Sequence, residues 1–317
     1  MTHRLSTSRI EQAFNSIDPV FLHTPQFISE SLSELFSSRI ILKVETLNPI
    51  RSFKGRGADF LLSNADKQIP IICASAGNFG QAMAYACRKR AVPLTVYASV
   101  NANPLKIDRM QALGATVLLH GNDFDAAKLE AKKAAVKSGA RFVEDSLDIE
   151  TLEGAGTIGL ELLDFPEPID VLLIALGNGA MINGIGKIFK ERSAHTRIIA
   201  VQAAGAPAMI ESWRTNTVVT HNTVNTIADG IAVRIPVPEA LNDMQGIVDD
   251  AILVNETSIV KAMNLIHLHA GLVSEPSGAV GIAALVENEA LFKGLTVATI
   301  ICGGNVTQQQ LNDWFGA

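Results

Sequence analysis

The chain has 317 residues, 48% apolar and 18% charged, with a net charge of −6. That is enough for two lobes and a sizeable core, and it excludes a disordered chain. The acidic balance, without a long basic run, argues against nucleic acid as a partner. No apolar run approaches the roughly 20 residues that span a bilayer, so no membrane partner is expected.

Met1 to Phe14 lacks the apolar centre of a signal peptide. Cys73, Cys87 and Cys302 are odd in number and widely spaced, with no CxxC pair. Neither a zinc ribbon nor a disulfide framework is expected, and a reducing, cytoplasmic compartment fits.

Phe14 to Leu35 reads as an entry segment and a short helix, with a turn at His23-Thr24-Pro25. Arg39–Glu45 is a buried strand, Asn48-Pro49 breaks the chain, and Arg56–Asn64 has helical spacing. Strands and helices then alternate. Strands are predicted at Ile69–Ala74, Leu94–Ala98, Thr116–His120, Arg141–Glu144, Ile169–Leu176, Arg197–Ala203, Ala251–Val254 and Thr296–Ile301. Helices are predicted at Asn78–Arg90, Pro104–Leu113, Phe124–Lys137, Glu150–Leu163, Met181–Arg192, Ser258–Ala270, Pro276–Leu291 and Thr307–Phe315. Lys128, Lys132 and Lys133 read as a solvated face. The alternation predicts an α/β fold with parallel sheets covered on both faces.

Chemistry concentrates in four places. Lys54 sits in Ser52-Phe53-Lys54-Gly55-Arg56-Gly57. A lone lysine reads first as a surface charge, but glycines permit close backbone approach to a ligand, and a desolvated amine is a nucleophile. Ala74 to Gln81 opens a helix with Ser75, Ala76, Gly77 and Asn78, which suits either an anion or a simple N-cap. Gly177-Asn178-Gly179-Ala180-Met181 follows a strong strand, with phosphate as its natural guest. Cys302-Gly303-Gly304-Asn305 ends the last strong strand. Ligands of parallel sheets sit at the carboxyl ends of strands, so these turns can converge. Gly154-Ala155-Gly156-Thr157-Ile158-Gly159 satisfies GxGxxG without a preceding strand, and reads as close helix packing rather than a dinucleotide site.

These segments, with Ala228-Asp229-Gly230 and Glu275-Pro276-Ser277-Gly278, occur in one order. Together they resemble the fold-type II pyridoxal phosphate enzymes (tryptophan synthase beta-like), in the threonine/serine dehydratase and serine racemase branch. The likeness runs from about His23 to Val306. It implies two interleaved domains, each a mostly parallel twisted sheet covered by helices. Residues 1–69 with 148–317 would form the large one and residues 70–147 the small one. It implies pyridoxal 5'-phosphate carried as a Schiff base on Lys54, which also serves as base and acid at Cα, with Phe53 beside the ring. Asn78 would meet the ring hydroxyl. Ser75, Gly77, Asn78 and Phe79 would receive the substrate carboxylate. Gly177, Asn178, Gly179, Ala180 and Met181 would cradle the phosphate, and Cys302 would face the pyridine nitrogen. The implied reaction converts a 3-hydroxy amino acid such as L-threonine or L-serine to a 2-oxo acid and ammonia, in a homodimer. A β-replacement transferase and an amino acid racemase are the alternatives.

Four departures refine this. Ala76 stands where the racemases carry a serine, so Lys54 is the only base expected at Cα. Gln202 and Ala208 replace the acidic residues of a divalent-cation site, and hard cations need anionic oxygen, so no metal is expected. Phe79 replaces the usual histidine, and Cys302 the usual serine. Glu275 reads equally as a functional group or as a helix cap. The chain ends at Ala317, soon after Val306, so no effector-binding domain is expected.

Overall fold

The computed structural model describes residues 3–315. The N-terminal part runs from α1 (Thr7–Ser16) through a 3-10 turn (Pro19–Phe21) and β1 (Gln26–Ile28) to α2 (Glu30–Phe36), β2 (Arg39–Val44) and α3 (Lys54–Ser63). Next come β3 (Ile71–Ala74), α4 (Asn78–Arg90), β4 (Leu94–Ala98), α5 (Pro104–Ala112), β5 (Thr116–Leu119), α6 (Phe124–Ser138) and β6 (Arg141–Val143). The chain continues with α7 (Ile149–Leu163), β7 (Val171–Ala175), α8 (Ala180–Arg192), β8 (Arg197–Ala203), α9 (Ala208–Thr215) and α10 (Pro238–Asp243). It closes with β9 (Asp250–Val254), α11 (Glu256–Ala270), α12 (Pro276–Phe292), β10 (Thr296–Ile301) and α13 (Gln308–Phe315). No described helix is long and apolar enough to cross a membrane.

Two sheets result. One has the order β1-β2-β10-β7-β8-β9, and only β1 is antiparallel. The other, β5-β4-β3-β6, is wholly parallel. β7 is buried at every position, as a central strand covered on both faces must be. The largest apolar cluster surrounds the six-stranded sheet. A second joins the four-stranded sheet to Ala58, Phe60, Leu61 and Leu62 of α3. The helix that begins with Lys54 therefore packs on the smaller sheet while its polar side meets the larger one.

The sequence reading missed α1, β1, α9 and α10. α1 occupies the stretch considered only for targeting; Ile10 and Ala13 are its buried residues. β1 is three residues long and pairs antiparallel with β2, too short to show alternation.

The glycines around Lys54 also have a different purpose from the one expected. They admit neighbouring protein rather than a ligand. A Cβ on Gly55 would stand 2.2 Å from the Phe21 ring, and one on Gly57 2.7 Å from the Thr151 carbonyl oxygen. The GxGxxG segment lies inside α7 and is indeed close helix packing. A Cβ on Gly154 would come within 2.6 Å of Gly57 Cα, and one on Gly156 within 2.9 Å of the Gly184 carbonyl. Backbone meets backbone where α7 crosses α3 and α8, so no side chain fits between them.

A buried ionic cluster ties α3 in place. Arg56 is fully buried. Its guanidinium donates to Glu45 at 2.8 and 2.9 Å, to Glu161 at 2.6 and 3.0 Å, to Thr157 Oγ1 at 3.0 Å and to Thr24 Oγ1 at 3.2 Å. Lys43 Nζ donates to Glu161 Oε2 at 2.5 Å and to the Thr24 carbonyl at 2.7 Å. Two cations face two carboxylates, so the cluster is formally neutral. Burial pushes Glu161 up, but Arg56 and Lys43 outweigh it and hold the carboxyl at about 2.

Removing one member strands the others. Arg56→Ala is expected to destabilise the fold by about 3–5 kcal/mol, read as a lowered midpoint in urea denaturation. The pH dependence follows from Glu161. Its folded value lies below the ordinary 4.5, so its contribution is complete above that pH and fades as pH falls toward about 2. Thermal unfolding between pH 5 and pH 2 should show this loss, and Glu161→Gln should reduce it.

Candidate active site

The turns at the carboxyl ends of β3, β6 and β7 line one cleft. Ser75 and Phe79 come from the first, Glu144 and Asp145 from the second, and Asn178 from the third, with Phe124, Lys128 and Phe142 closing the wall. The turn after β10 joins from the side: Phe53 N–H donates to the Cys302 carbonyl at 3.1 Å, and Ser52 bridges to Gly303.

Lys54 is the first residue of α3, and its Nζ lies 4.7 Å from the centre of the Phe53 ring. The amine donates to Asp145 Oδ2 at 2.6 Å. The structure thus gives Lys54 a carboxylate partner, Asp145, which the sequence reading did not name. Sequence reading passed over Asp145, although it follows a parallel strand just as the recognised turns do. Of the expected solvated lysine face on α6, Lys132 and Lys133 are exposed, but Lys128 is not. Lys128 is largely buried at the cleft and pairs with Glu144 at 3.1 Å, and Lys132 reaches the same carboxylate at 2.7 Å.

At the start of α4, Ser75 Oγ accepts from Gly77 N–H at 3.2 Å and Gly80 N–H at 2.9 Å. The hydroxyl thus holds the turn in shape, while the first helical turn keeps further N–H groups for an anion. Phe79 is buried and belongs to the apolar cluster of the smaller sheet. Asn78 is committed on both sides of its amide: Nδ2 donates to Glu275 Oε1 at 2.7 Å, and Oδ1 accepts from Asn305 Nδ2 at 2.8 Å.

Glu275 is no helix cap. It occupies the N-cap position of α12 but makes no side-chain capping bond. Its carboxyl instead takes Asn78 Nδ2 and, at 3.1 Å, Asn305 N–H. Burial raises it to about 7, with Lys106 pulling down and Asp229 pushing up. Lys106 itself is buried and pairs with Asp229, joining α5 to the Ala228-Asp229-Gly230 turn. Sequence reading assigned neither Lys106 nor Asn305 a role; their partners are far away in the chain.

At α8, Gly179 takes φ +93° and caps the helix without a side-chain bond. Asn178 Oδ1 is buried with no partner. A Cβ on Gly177 would come within 3.0 Å of the Gly230 carbonyl. Gly177, Asn178, Gly179, Ala180 and Met181 form a tight cradle whose backbone N–H groups open α8, which fits a phosphate. Cys302 is buried, and burial, with Glu275 second, pushes its thiol up, so it presents a neutral group. Gln202 Oε1 accepts from Ile210 N–H, and Ala208 opens α9. Among the described residues no cluster of three or more His, Cys, Asp or Glu is arranged for a metal.

Comparison with known proteins agrees with this geometry. The family model described as pyridoxal-phosphate dependent enzyme matches residues 17–303. The L-threonine ammonia-lyase of Thermotoga maritima is 35% identical over 300 residues, covering 94% of this chain and 75% of that protein. The structure of processed threonine deaminase isoform 2 from Solanum lycopersicum superimposes with a TM-score of 0.89 at 28% identity, over 100% of this chain and 90% of that one. Maize serine racemase gives 0.90 at 27% identity, over 96% and 95%.

Glu275 generates a pH effect. Its folded value lies above the ordinary 4.5, so no ionisation penalty acts below that pH, and the full penalty acts above about 7. Glu275→Gln is expected to remove this loss of stability. The difference in melting temperature between variant and wild type should shift in favour of the variant as pH rises from 4.5 to 7.

Proposed function

The chain belongs to the family of pyridoxal-phosphate-dependent enzymes, and we propose that it is an ammonia-lyase acting on a 3-hydroxy amino acid, L-threonine or L-serine. The observation that carries this reading is Lys54: an amine bonded at 2.6 Å to Asp145 in the wall of a cleft that Ser75 and Asn178, at two glycine turns, also line. The Thermotoga relative, an L-threonine ammonia-lyase, supports the substrate class.

Pyridoxal phosphate, when bound, supplies the electron sink for carbanion chemistry at Cα. Every other task falls to the chain. The turn Gly177–Met181 would hold the phosphate with backbone N–H groups. Phe53 would pack beside the ring. Asn78, fixed by Glu275 and Asn305, would meet the ring hydroxyl with an amide that does not rotate. Ser75, Gly77, Asn78 and Phe79 would receive the substrate carboxylate at the start of α4. Cys302, held neutral by burial, would face the pyridine nitrogen without placing a charge there. Lys54 would carry the cofactor and, once released, take the proton from Cα.

Ala76 has no ionisable group, which favours elimination over racemisation, and β-replacement has no feature of the cleft to recommend it. The same reading takes residues 1–69 with 148–317 as the large domain and 70–147 as the small one, in a cytoplasmic homodimer. The separate sheets support the division.

Borohydride reduction of the protein with cofactor is expected to fix one cofactor on the Lys54 peptide, seen by mass spectrometry. A panel of 3-hydroxy amino acids should yield 2-oxo acid and ammonia. Lys54→Ala should lower that turnover by at least about 10²–10⁴-fold, the size of a lost acid–base group. Turnover near wild type, or rapid cysteine formation from an activated serine and sulfide, would contradict the reading.

A further inference from the structure

Asp145 is placed with more care than a counter-ion needs. It follows β6, and the next residue, Ser146, is held at φ +68°, a conformation that a non-glycine residue adopts only when its surroundings impose it. Those surroundings are visible. Arg4 donates to the carbonyls of Leu147 at 2.9 Å and Ser146 at 3.3 Å, and Ser146 N–H donates to Thr151 Oγ1 at 3.1 Å. The bend turns Asp145 into the cleft wall between Ser75 and Asn178. The adjacent Glu144 is occupied by Lys128 and Lys132. Asp145 is thus the carboxylate left to the cleft. One oxygen takes Lys54 Nζ at 2.6 Å, and the other, Oδ1, is buried without a partner.

We propose that Asp145 is a catalytic residue, which receives from Lys54 the proton taken from Cα and delivers it to the departing β-hydroxyl of the substrate. The relay rests on the functional reading above and adds a route that reading lacks. Hydroxide is a poor leaving group and needs a proton as it departs. Lys54 gains a proton when the Cα–H bond breaks. At 2.6 Å it can pass that proton directly to Asp145, breaking N–H and forming O–H. The acid then protonates the hydroxyl as the Cβ–O bond breaks, and water leaves. The electron pair of the Cα–H bond becomes the second bond between Cα and Cβ. Lys54 returns to the amine and Asp145 to the carboxylate, with no change of oxidation state in the protein. Asp145 lines the cleft together with Ser75, so its carboxyl stands on the side where the substrate would bind.

Asp145→Asn keeps shape and volume but cannot carry the proton. Four readings test it: borohydride fixation of cofactor on Lys54, exchange of the substrate Cα proton with deuterated water, turnover of L-serine, and turnover of β-chloro-L-alanine, whose chloride leaves without a proton. The variant is expected to fix cofactor and exchange Cα–H as wild type does, and to lose L-serine turnover by about 10²–10⁴-fold. Chloride elimination should stay within about threefold of wild type, which also shows that the variant is folded. The relay is overturned if L-serine turnover survives. It is equally overturned if chloride elimination falls as far as serine turnover, or if the variant no longer fixes cofactor; either result makes Asp145 a structural support of Lys54. Wild-type protein that fixes no cofactor on Lys54 would overturn the functional reading itself, and the relay with it.

Discussion

The whole site depends on one buried guanidinium. Arg56 lies two residues beyond Lys54, carries no solvent exposure, and bonds two carboxylates from different parts of the chain. Glu45 follows the end of β2, and Glu161 belongs to α7. A full charge out of water is tolerable only when paired and hydrogen-bonded, so Arg56 has essentially one place to sit. That place sets the start of α3 and hence the root of Lys54. An apolar residue could slide by fractions of an ångström at little cost. A forked cation with six bonds cannot, which is a physical reason to use a charge beneath the Lys54 amine.

Around that anchor, the architecture solves a second problem. The reacting groups come from two sheets, each presenting the carboxyl ends of parallel strands to the cleft. α3 is the joint between them. Its apolar residues share a core with the smaller sheet, while Arg56 is tied to elements around the larger one. The Lys106–Asp229 pair and the chain from Asn78 through Glu275 and Asn305 cross the same seam. Charge inside the cleft is meanwhile confined to few groups. Burial leaves Cys302 neutral and raises Glu275, so the ion pairs at the cleft are Lys54 with Asp145 and Lys128 with Glu144.

The residues differ in how openly the sequence declared them. β7, β8 and β10 are continuous apolar runs at the pitch of buried strands, and α4 was placed at its true bounds because a glycine turn opens it and basic residues close it. The glycine cradle before α8 and the lysine segment were recognisable from residue types in order. α1 was not, because its stretch was weighed only as a possible targeting signal. Glu275 was ambiguous for a sound reason: an acid before a proline at a helix start is a normal cap. Only the nearness of Asn78 and Asn305 gives it another partner.

By itself, then, the sequence determined the alternation of strands and helices, the order of the glycine turns and the place of the lysine segment among them. These are local properties, written in periodicity and in residue types a few positions apart. The tertiary structure decided what those residues meet. Gly55 and Gly57 proved to be seats for Phe21 and α7 rather than for a ligand. Lys54 gained Asp145, 91 residues away, and Arg56 gained Glu161, 105 residues away. Such pairings depend on how two sheets and three crossing helices pack, and no spacing along the chain encodes them.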